Sequence, residues 1–249
     1  MRLRLSEVDF SYPGTGALAL DQCSLELDTA AITVLVGNNG AGKSTLIRLL
    51  TGQLTGYAGR YTLGEGPSEK EADVLRGELL ARHRFGYVPD VPVLDPRLTG
   101  LEMILMVGSF RGLSQERTLE QLEPYKEIFD LGDWLAASTC GKYSKGMKKK
   151  VSLVLGFLGD LAYSFLDEPF DGLDPIAIYH LKRHLKLRKE RGIGALLSSH
   201  MLDAAEKVAD DLALMKSGRT VYSGNFQTLL DSRPTGTGLE EIYFEYFLK

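Results

Sequence analysis

Gly37-Asn38-Asn39-Gly40-Ala41-Gly42-Lys43-Ser44-Thr45 satisfies G-x-x-x-x-G-K-[ST] at every fixed position. Such a run cradles phosphate. Its glycines let the chain turn so tightly that successive backbone N–H groups aim at an anion that side chains would otherwise keep away. Lys43 adds a point charge, the Ser44 hydroxyl is placed for Mg²⁺, and a helix opening at Ser44 turns its positive end toward the same anion. The flanks agree with this reading. Ile32, Val34, Leu35 and Val36 form a short apolar run expected to be a buried strand, and Leu46, Ile47, Leu49 and Leu50 follow at helical spacing. Residues 37 to 45 are therefore expected to bind the phosphates of a nucleoside triphosphate.

The chain has 249 residues, 44% of them hydrophobic and 25% charged, which is enough for a buried core and speaks against disorder. One domain is expected, with room for a subdomain. A net charge of -4 and a pI near 5.7 offer no global attraction to nucleic acid, so no nucleic-acid partner is expected. Cys23 and Cys140 lie far apart without metal-ligand spacing and read as reduced thiols of a reducing compartment. The longest apolar stretch, Val151 to Leu166, is interrupted by Asp160, and Met1-Arg2-Leu3-Arg4-Leu5 lacks a signal peptide's apolar core. A soluble, cytoplasmic chain is the expectation.

Leu3 and Leu5 alternate with Arg2 and Arg4, and Cys23, Leu25 and Leu27 with Ser24 and Glu26, predicting antiparallel strands with one solvated face around a Pro13-Gly14 turn. Gly52 and Gly56 stop the helix after the phosphate loop, and Tyr61 to Leu63 read as another strand. Three prolines and two aspartates make Pro89 to Pro96 an irregular junction. From there to about Leu158 the pattern is helical, opening on the capping-box pair Thr99 and Glu102. Strand and helix then alternate again: Ala162 to Leu166, the helix Pro175 to Arg191, and Ala195 to Leu197. The chain leaves an α/β core and returns to it. A hairpin through Lys216-Ser217-Gly218-Arg219 and a flexible link from Arg233 to Gly238 precede a last amphipathic helix. There Leu239, Ile242, Tyr243, Tyr246 and Phe247 oppose Glu240, Glu241 and Glu245, a face expected to pack on the chain's own core.

Leu166-Asp167-Glu168-Pro169 closes an apolar strand and puts two carboxylates at a sheet edge, where ligands of open α/β sheets collect. Asp167 suits a Mg²⁺ shell opposite Ser44, and Glu168 suits a water attacking the γ-phosphate. With these motifs the chain resembles, in order and over nearly its whole length, the nucleotide-binding subunit of an ABC transporter. The resemblance implies a P-loop NTPase (RecA-like) α/β core with an N-terminal antiparallel β subdomain and an inserted α-helical subdomain. The ATPase domain would span residues 1–230, with the helical insertion at about 91–158, and residues 231–249 would be linker and terminal helix.

It also implies site residues one by one. Tyr12, in Phe10-Ser11-Tyr12-Pro13-Gly14, stands where such subunits stack an aromatic ring on adenine; a core tyrosine is the alternative. Tyr143-Ser144-Lys145-Gly146-Met147 is similar to the family signature LSGGQ, keeping its serine and second glycine. Ser144 and Gly146 would then address the nucleotide held by a second subunit, while by itself Ser144 reads as a helix cap. Asp171-Gly172-Leu173-Asp174 resembles the D-loop crossing the subunit interface, and Asp174 before Pro175 is equally a helix start. His200, after Leu196-Leu197-Ser198-Ser199, matches the switch histidine that helps position the attacking water. Lys148, Lys149 and Lys150 read as a solvated face, and His83, His180 and His184 as surface residues.

One position departs from the pattern. Phe85-Gly86-Tyr87-Val88-Pro89-Asp90 aligns with a segment that usually ends in Gln, and Asp90 brings a full negative charge near metal and triphosphate. Asp90 is expected to contact Mg²⁺. The implied function is Mg²⁺-dependent ATP binding and hydrolysis shared between two subunits, homodimeric or heterodimeric, that drive a separate transmembrane permease at the inner face of the membrane. Export is the expected direction. A soluble ABC-type ATPase acting on nucleic acid or ribosomes is the rival reading, and a small-molecule phosphotransferase a second.

Overall fold

The computed structural model describes residues 2–64, 72–73 and 84–248. His83 lies outside them. Two sheets carry the architecture. The first joins β1 (Arg2–Ser11), β2 (Leu18–Asp28), β4 (Ala58–Gly64) and β5 (Ala72–Asp73) in the antiparallel order β2-β1-β4-β5. Leu3, Leu5, Cys23, Leu25 and Leu27 are buried along one face of it, as alternation requires of a half-solvated sheet. The second contains β3 (Ile32–Gly37), β6 (Phe85–Val88), β7 (Tyr163–Leu166), β8 (Gly194–Ser198), β9 (Asp211–Lys216) and β10 (Arg219–Asn225). Its order is β10-β9-β3-β8-β7-β6, parallel throughout except for the β9–β10 hairpin.

The strand β3 leads into the helix Lys43–Leu50, which begins one residue earlier than the sequence suggests. Thr45, Leu46, Ile47, Leu49 and Leu50 are all buried, and Leu46, Ile47, Leu49 and Leu50 pack with residues of both sheets. A helix enclosed on so many sides holds the phosphate loop on a rigid base. The opposite face of the parallel sheet packs through Ile32, Val34 and Val36 into a second core shared with the helical region.

That region follows the irregular Pro89–Pro96 stretch with helices at Gly100–Phe110, Gln115–Ile128, Trp134–Ala137 and Lys145–Phe157. Its first helix opens on a complete capping box, Thr99 accepting from the Glu102 N–H while the Glu102 carboxylate accepts from the Thr99 N–H. The Lys145–Phe157 helix lies against β6 so closely that a Cβ on Gly86 would collide with the Gly156 carbonyl. Glycine permits this approach because it has no Cβ.

The lysine run departs from expectation. Lys149 is 1% exposed, while Lys150 reaches Asp174 at 3.2 Å. Successive helical residues are about 100° apart, so three in a row cannot all face water on a helix packed along one side. His184 is also no simple surface residue, since its ring lies 5.1 Å from Tyr125 and 5.0 Å from Phe157, centroid to centroid. Burial there, reinforced by Arg188 and Arg191, holds its pKa down to about 3. At the far end, Leu239 and Ile242 of the helix Leu239–Phe247 are buried in the core, as expected. The segment before it is tied down by Arg233, whose guanidinium meets Glu245 at 2.6 Å.

Candidate functional site

Four parallel strands stand side by side in the order β3-β8-β7-β6, so their carboxyl ends share one edge of the sheet. Each end carries a different part of the site. The phosphate loop leaves β3, Asp167 and Glu168 leave β7, His200 follows β8, and Asp90 follows β6. A basin of about 730 Å³ at this edge is lined by Lys43, Ser44, Asp167, Glu168 and His200 together with Tyr12, Asn39 to Gly42, Thr45, Asp90 and Asp171.

The loop is built as its glycines suggest. Gly42 holds φ 103° and would place a Cβ 2.7 Å from the Ala19 carbonyl, so only glycine fits between the two backbones. Lys43 Nζ donates to the carbonyls of Gly37 at 2.7 Å and Asn38 at 3.2 Å, which folds its side chain back over the loop. Burial lowers the lysine's pKa, and the charges of Glu168 and Asp167 oppose that shift. The Tyr12 hydroxyl lies 3.2 Å from Thr45 Oγ1 and its ring packs edge-on to Phe10, leaving Tyr12 half-buried at the rim.

The carboxylates form a connected network. Ser198 Oγ donates to Asp167 Oδ1 at 2.6 Å and accepts from the Glu168 N–H at 3.0 Å. Ser198 is fully buried and Asp167 is 3% exposed, so this hydroxyl orients one acid and anchors the backbone of the next. Glu168 sits at φ 47°, a left-handed conformation that costs a non-glycine residue about 1 kcal/mol. Its Oε2 accepts from the His200 backbone N–H at 3.1 Å and lies 2.8 Å from His200 Nδ1. A carboxylate can only accept, so Nδ1 carries the proton in this pair.

Ser198 was not a candidate on sequence grounds. The available signal was a hydroxyl at the buried end of a strand beside an acidic strand end, and it acquires meaning only once β7 and β8 are neighbours. Tyr243 is a second such residue: its hydroxyl donates to Asn38 Oδ1, bringing the last helix against the phosphate loop.

Ser144, Gly146 and Asp174 are not among the residues lining the basin. Ser144 caps its helix by accepting from the Met147 N–H at 3.2 Å, and Asp174 caps the next by accepting from Ala177 at 2.8 Å, so the cap readings of both hold. Lys145 meets Asp171 at 2.6 Å, joining the two segments to each other. That lysine holds the Asp171 carboxyl below its ordinary range.

A family model described as ABC transporter matches residues 20–171, which spans the phosphate loop, the Ser144 segment and both acids. The chain belongs to the ABC transporter family. It is an ATPase of this family, with the P-loop α/β core expected from the sequence. Among curated proteins it is 31% identical to the ABC-type transporter ATP-binding protein EcsA of Bacillus subtilis, covering 97% of this chain and 95% of the relative. It is 33% identical to the Nod factor export ATP-binding protein I of Bradyrhizobium diazoefficiens, covering 84% of this chain and 66% of that one. The solved structure of an ATP-binding subunit of an ABC transporter superposes with a TM-score of 0.87 at 31% identity, over 98% of this chain and 99% of the other. A dimeric ATP-binding cassette in a post-hydrolysis state with ADP and Pi shares the fold at 20% identity, with a TM-score of 0.76 over 90% of this chain and 98% of that one.

The residues at the basin fit Mg²⁺. A hydroxyl on Ser44 and carboxylates on Asp167 and Asp90 line it, hard oxygen donors suited to an ion that takes few protein ligands beside phosphate oxygens.

Proposed function

We propose that this chain is the ATP-binding subunit of an ABC transporter, in which Mg²⁺-dependent ATP hydrolysis between two such subunits drives a separate permease. The carrying observation is a division of labour. The loop, both acids and His200 share one basin, while Ser144 and Gly146 lie outside it with helix N–H groups available to a second chain.

In this reading the N–H groups of residues 39 to 45 and the Lys43 ammonium hold the phosphates, and the Tyr12 ring takes the adenine face. Lys43 exchanges its loop carbonyls for phosphate oxygens. Ser44 and Asp167 would hold Mg²⁺, with Asp90 a further oxygen donor to it, directly or through water. Bound Mg²⁺ supplies compensating charge for the β- and γ-phosphates. Glu168, oriented by Ser198 and His200, takes the proton of the attacking water. With Nδ1 donating to Glu168, His200 would donate from Nε2 to the γ-phosphate as the imidazolium, in which both ring nitrogens carry a proton. Ser144 and Gly146 of the other subunit complete each pocket, with Asp174 at the shared interface, so ATP favours the closed pair and loss of the γ-phosphate releases it.

Among the described residues no helix is long and apolar enough to cross a membrane, which accords with a separate membrane partner and a peripheral position at the cytoplasmic face. A groove of about 690 Å³ lined by Tyr87, Asp90, Val91, Val93, Val107 and Arg111 among others is the surface offered to that partner. Val91 and Val93 expose 73% and 80% of their surface there. Export is supported by the Tyr-Ser-Lys-Gly-Met signature, by the acid at position 90 and by the export protein among the relatives.

Glu168→Gln tests the reading. ATP should convert the variant to a stable dimer by light scattering, with turnover reduced about 10² to 10³-fold; a variant that binds ATP yet stays monomeric would contradict the shared site. Asp90→Gln should shift the Mg²⁺ concentration for half-maximal ATPase, and an unchanged curve would remove Asp90 from the metal shell.

A further inference from the structure

Lys149 is among the largest fully buried side chains of the protein. Among the described residues its ammonium donates to two main-chain carbonyls, Asp90 at 2.8 Å and Pro89 at 3.3 Å, and to no carboxylate. Burial lowers its pKa, against the pull of Asp90, Asp171, Asp167 and Glu168. A side chain that only filled this space would be more cheaply a methionine, because taking an ammonium out of water carries a large desolvation cost. The lysine is therefore placed for what its charge holds.

What it holds is the segment common to two surfaces. Asp90 lines the nucleotide basin and also the exposed groove. Lys149 belongs to the helix Lys145–Phe157, capped by Ser144 and carrying Gly146 in its first turn. At the other end of this helix Gly156 is locked against Gly86 of β6, the strand that delivers Asp90. Two turns separate Gly156 from Lys149, so the base is fixed by backbone packing, and the head is tied to the Asp90 backbone by one ammonium.

We propose that Lys149 is the positioning residue that couples Asp90 to the helix end bearing Ser144 and Gly146, joining groove, nucleotide basin and signature through a single buried side chain. A displacement of the Asp90 backbone from either surface shifts the acceptors of Lys149, and the helix head follows. The effect on turnover rests on the ATPase function proposed above; the mechanical link does not.

The test is hydrogen-exchange mass spectrometry on the full chain, comparing wild type with Lys149→Met and Lys149→Arg. In Lys149→Met, exchange across residues 90–93 should rise at least tenfold and across 144–148 at least threefold. Lys149→Arg, which keeps the charge and its donors, should stay within threefold of wild type. Wild-type exchange in both stretches of Lys149→Met would overturn the proposal, as would loosening confined to 149 and its immediate neighbours. Should Lys149→Met fail to give a native circular dichroism spectrum, Lys149→Gln, a shorter neutral donor, is judged by the same criterion. In ATPase assays Lys149→Met should raise the half-maximal Mg²⁺ concentration at least threefold while KM for ATP stays within twofold. Equal changes in both, or in neither, would reduce Lys149 to a packing role. A wild-type chain that hydrolyses no ATP would defeat the proposed function and leave the exchange result standing.

Discussion

The strand ends of the parallel sheet and the head of the Ser144 helix are the two parts of the proposed nucleotide site, and they are finished to different degrees. At the sheet edge the partners are in place: Ser198 joins Asp167 to the Glu168 backbone, and Glu168 joins His200, all within one chain. At the helix head Ser144 accepts from the Met147 N–H, and the residue is exposed. Rigid β-strands can preorganise a catalytic network internally. A helix terminus instead keeps N–H groups without intrahelical partners, to which an external anion can bind.

Mixing two crippled chains should break or prove this contrast most sharply. Lys43→Ala removes the charge from the sheet-edge half and Ser144→Arg blocks the helix-head half, and each alone should lower ATPase at least a hundredfold. Mixed, they can form one intact composite site, so activity should recover to at least a tenth of wild type. Absence of recovery in coupled-enzyme assays would mean that the two regions do not serve one nucleotide across chains. Ser144→Arg should also leave nucleotide affinity of the dilute single chain within about threefold, whereas Lys43→Ala should not.

Ser198→Ala probes the finished half. Losing a hydrogen bond to a charged group costs about 1.5–3 kcal/mol, so kcat should fall about 10 to 100-fold with KM for ATP changed little. A variant with wild-type kcat would show that Asp167 and Glu168 hold themselves in place.

The core between helical region and sheet carries a pH dependence of its own through His184. Its native pKa of about 3 lies below the ordinary 6.5, so below pH 6.5 the unfolded chain takes up a proton that the folded chain refuses. This contribution is complete above pH 6.5 and is lost as pH falls toward 3, at most about 2 kcal/mol of it by pH 5. Melting curves should therefore show His184→Gln less stable than wild type at pH 7.5 but with a shallower decline toward pH 5; parallel declines would locate the acid sensitivity elsewhere.

Tyr243→Phe should have the smallest effect. It removes the hydroxyl that meets Asn38 while leaving the ring, and hydrogen bonds at exposed sites are worth about 1 kcal/mol or less. ATP affinity by fluorescence titration should change less than about fivefold, and no change at all would show that the last helix is indifferent to the loop.

Much of this was legible along the chain because it depends on local rules. A phosphate loop needs glycine at fixed spacings, a half-solvated strand needs alternation, and Thr99 with Glu102 announces a helix start, so those features appear where the residues say they should. Lys149 and His184 were misjudged because their neighbours in sequence say nothing about which side of a helix is covered. Ser198 and Tyr243 carried no motif at all.

Residue type and spacing, by themselves, determined that this protein carries the phosphate loop of an ATPase and named two acids and a histidine as candidates to attend it. The order β3-β8-β7-β6 alone decided that these parts meet, because parallel strands place their carboxyl ends at one edge however far apart they lie in the chain. Packing likewise decided that Lys149 is buried against Pro89 and Asp90, since the cost of desolvating a charge is set by what surrounds it and is invisible in a run of three lysines.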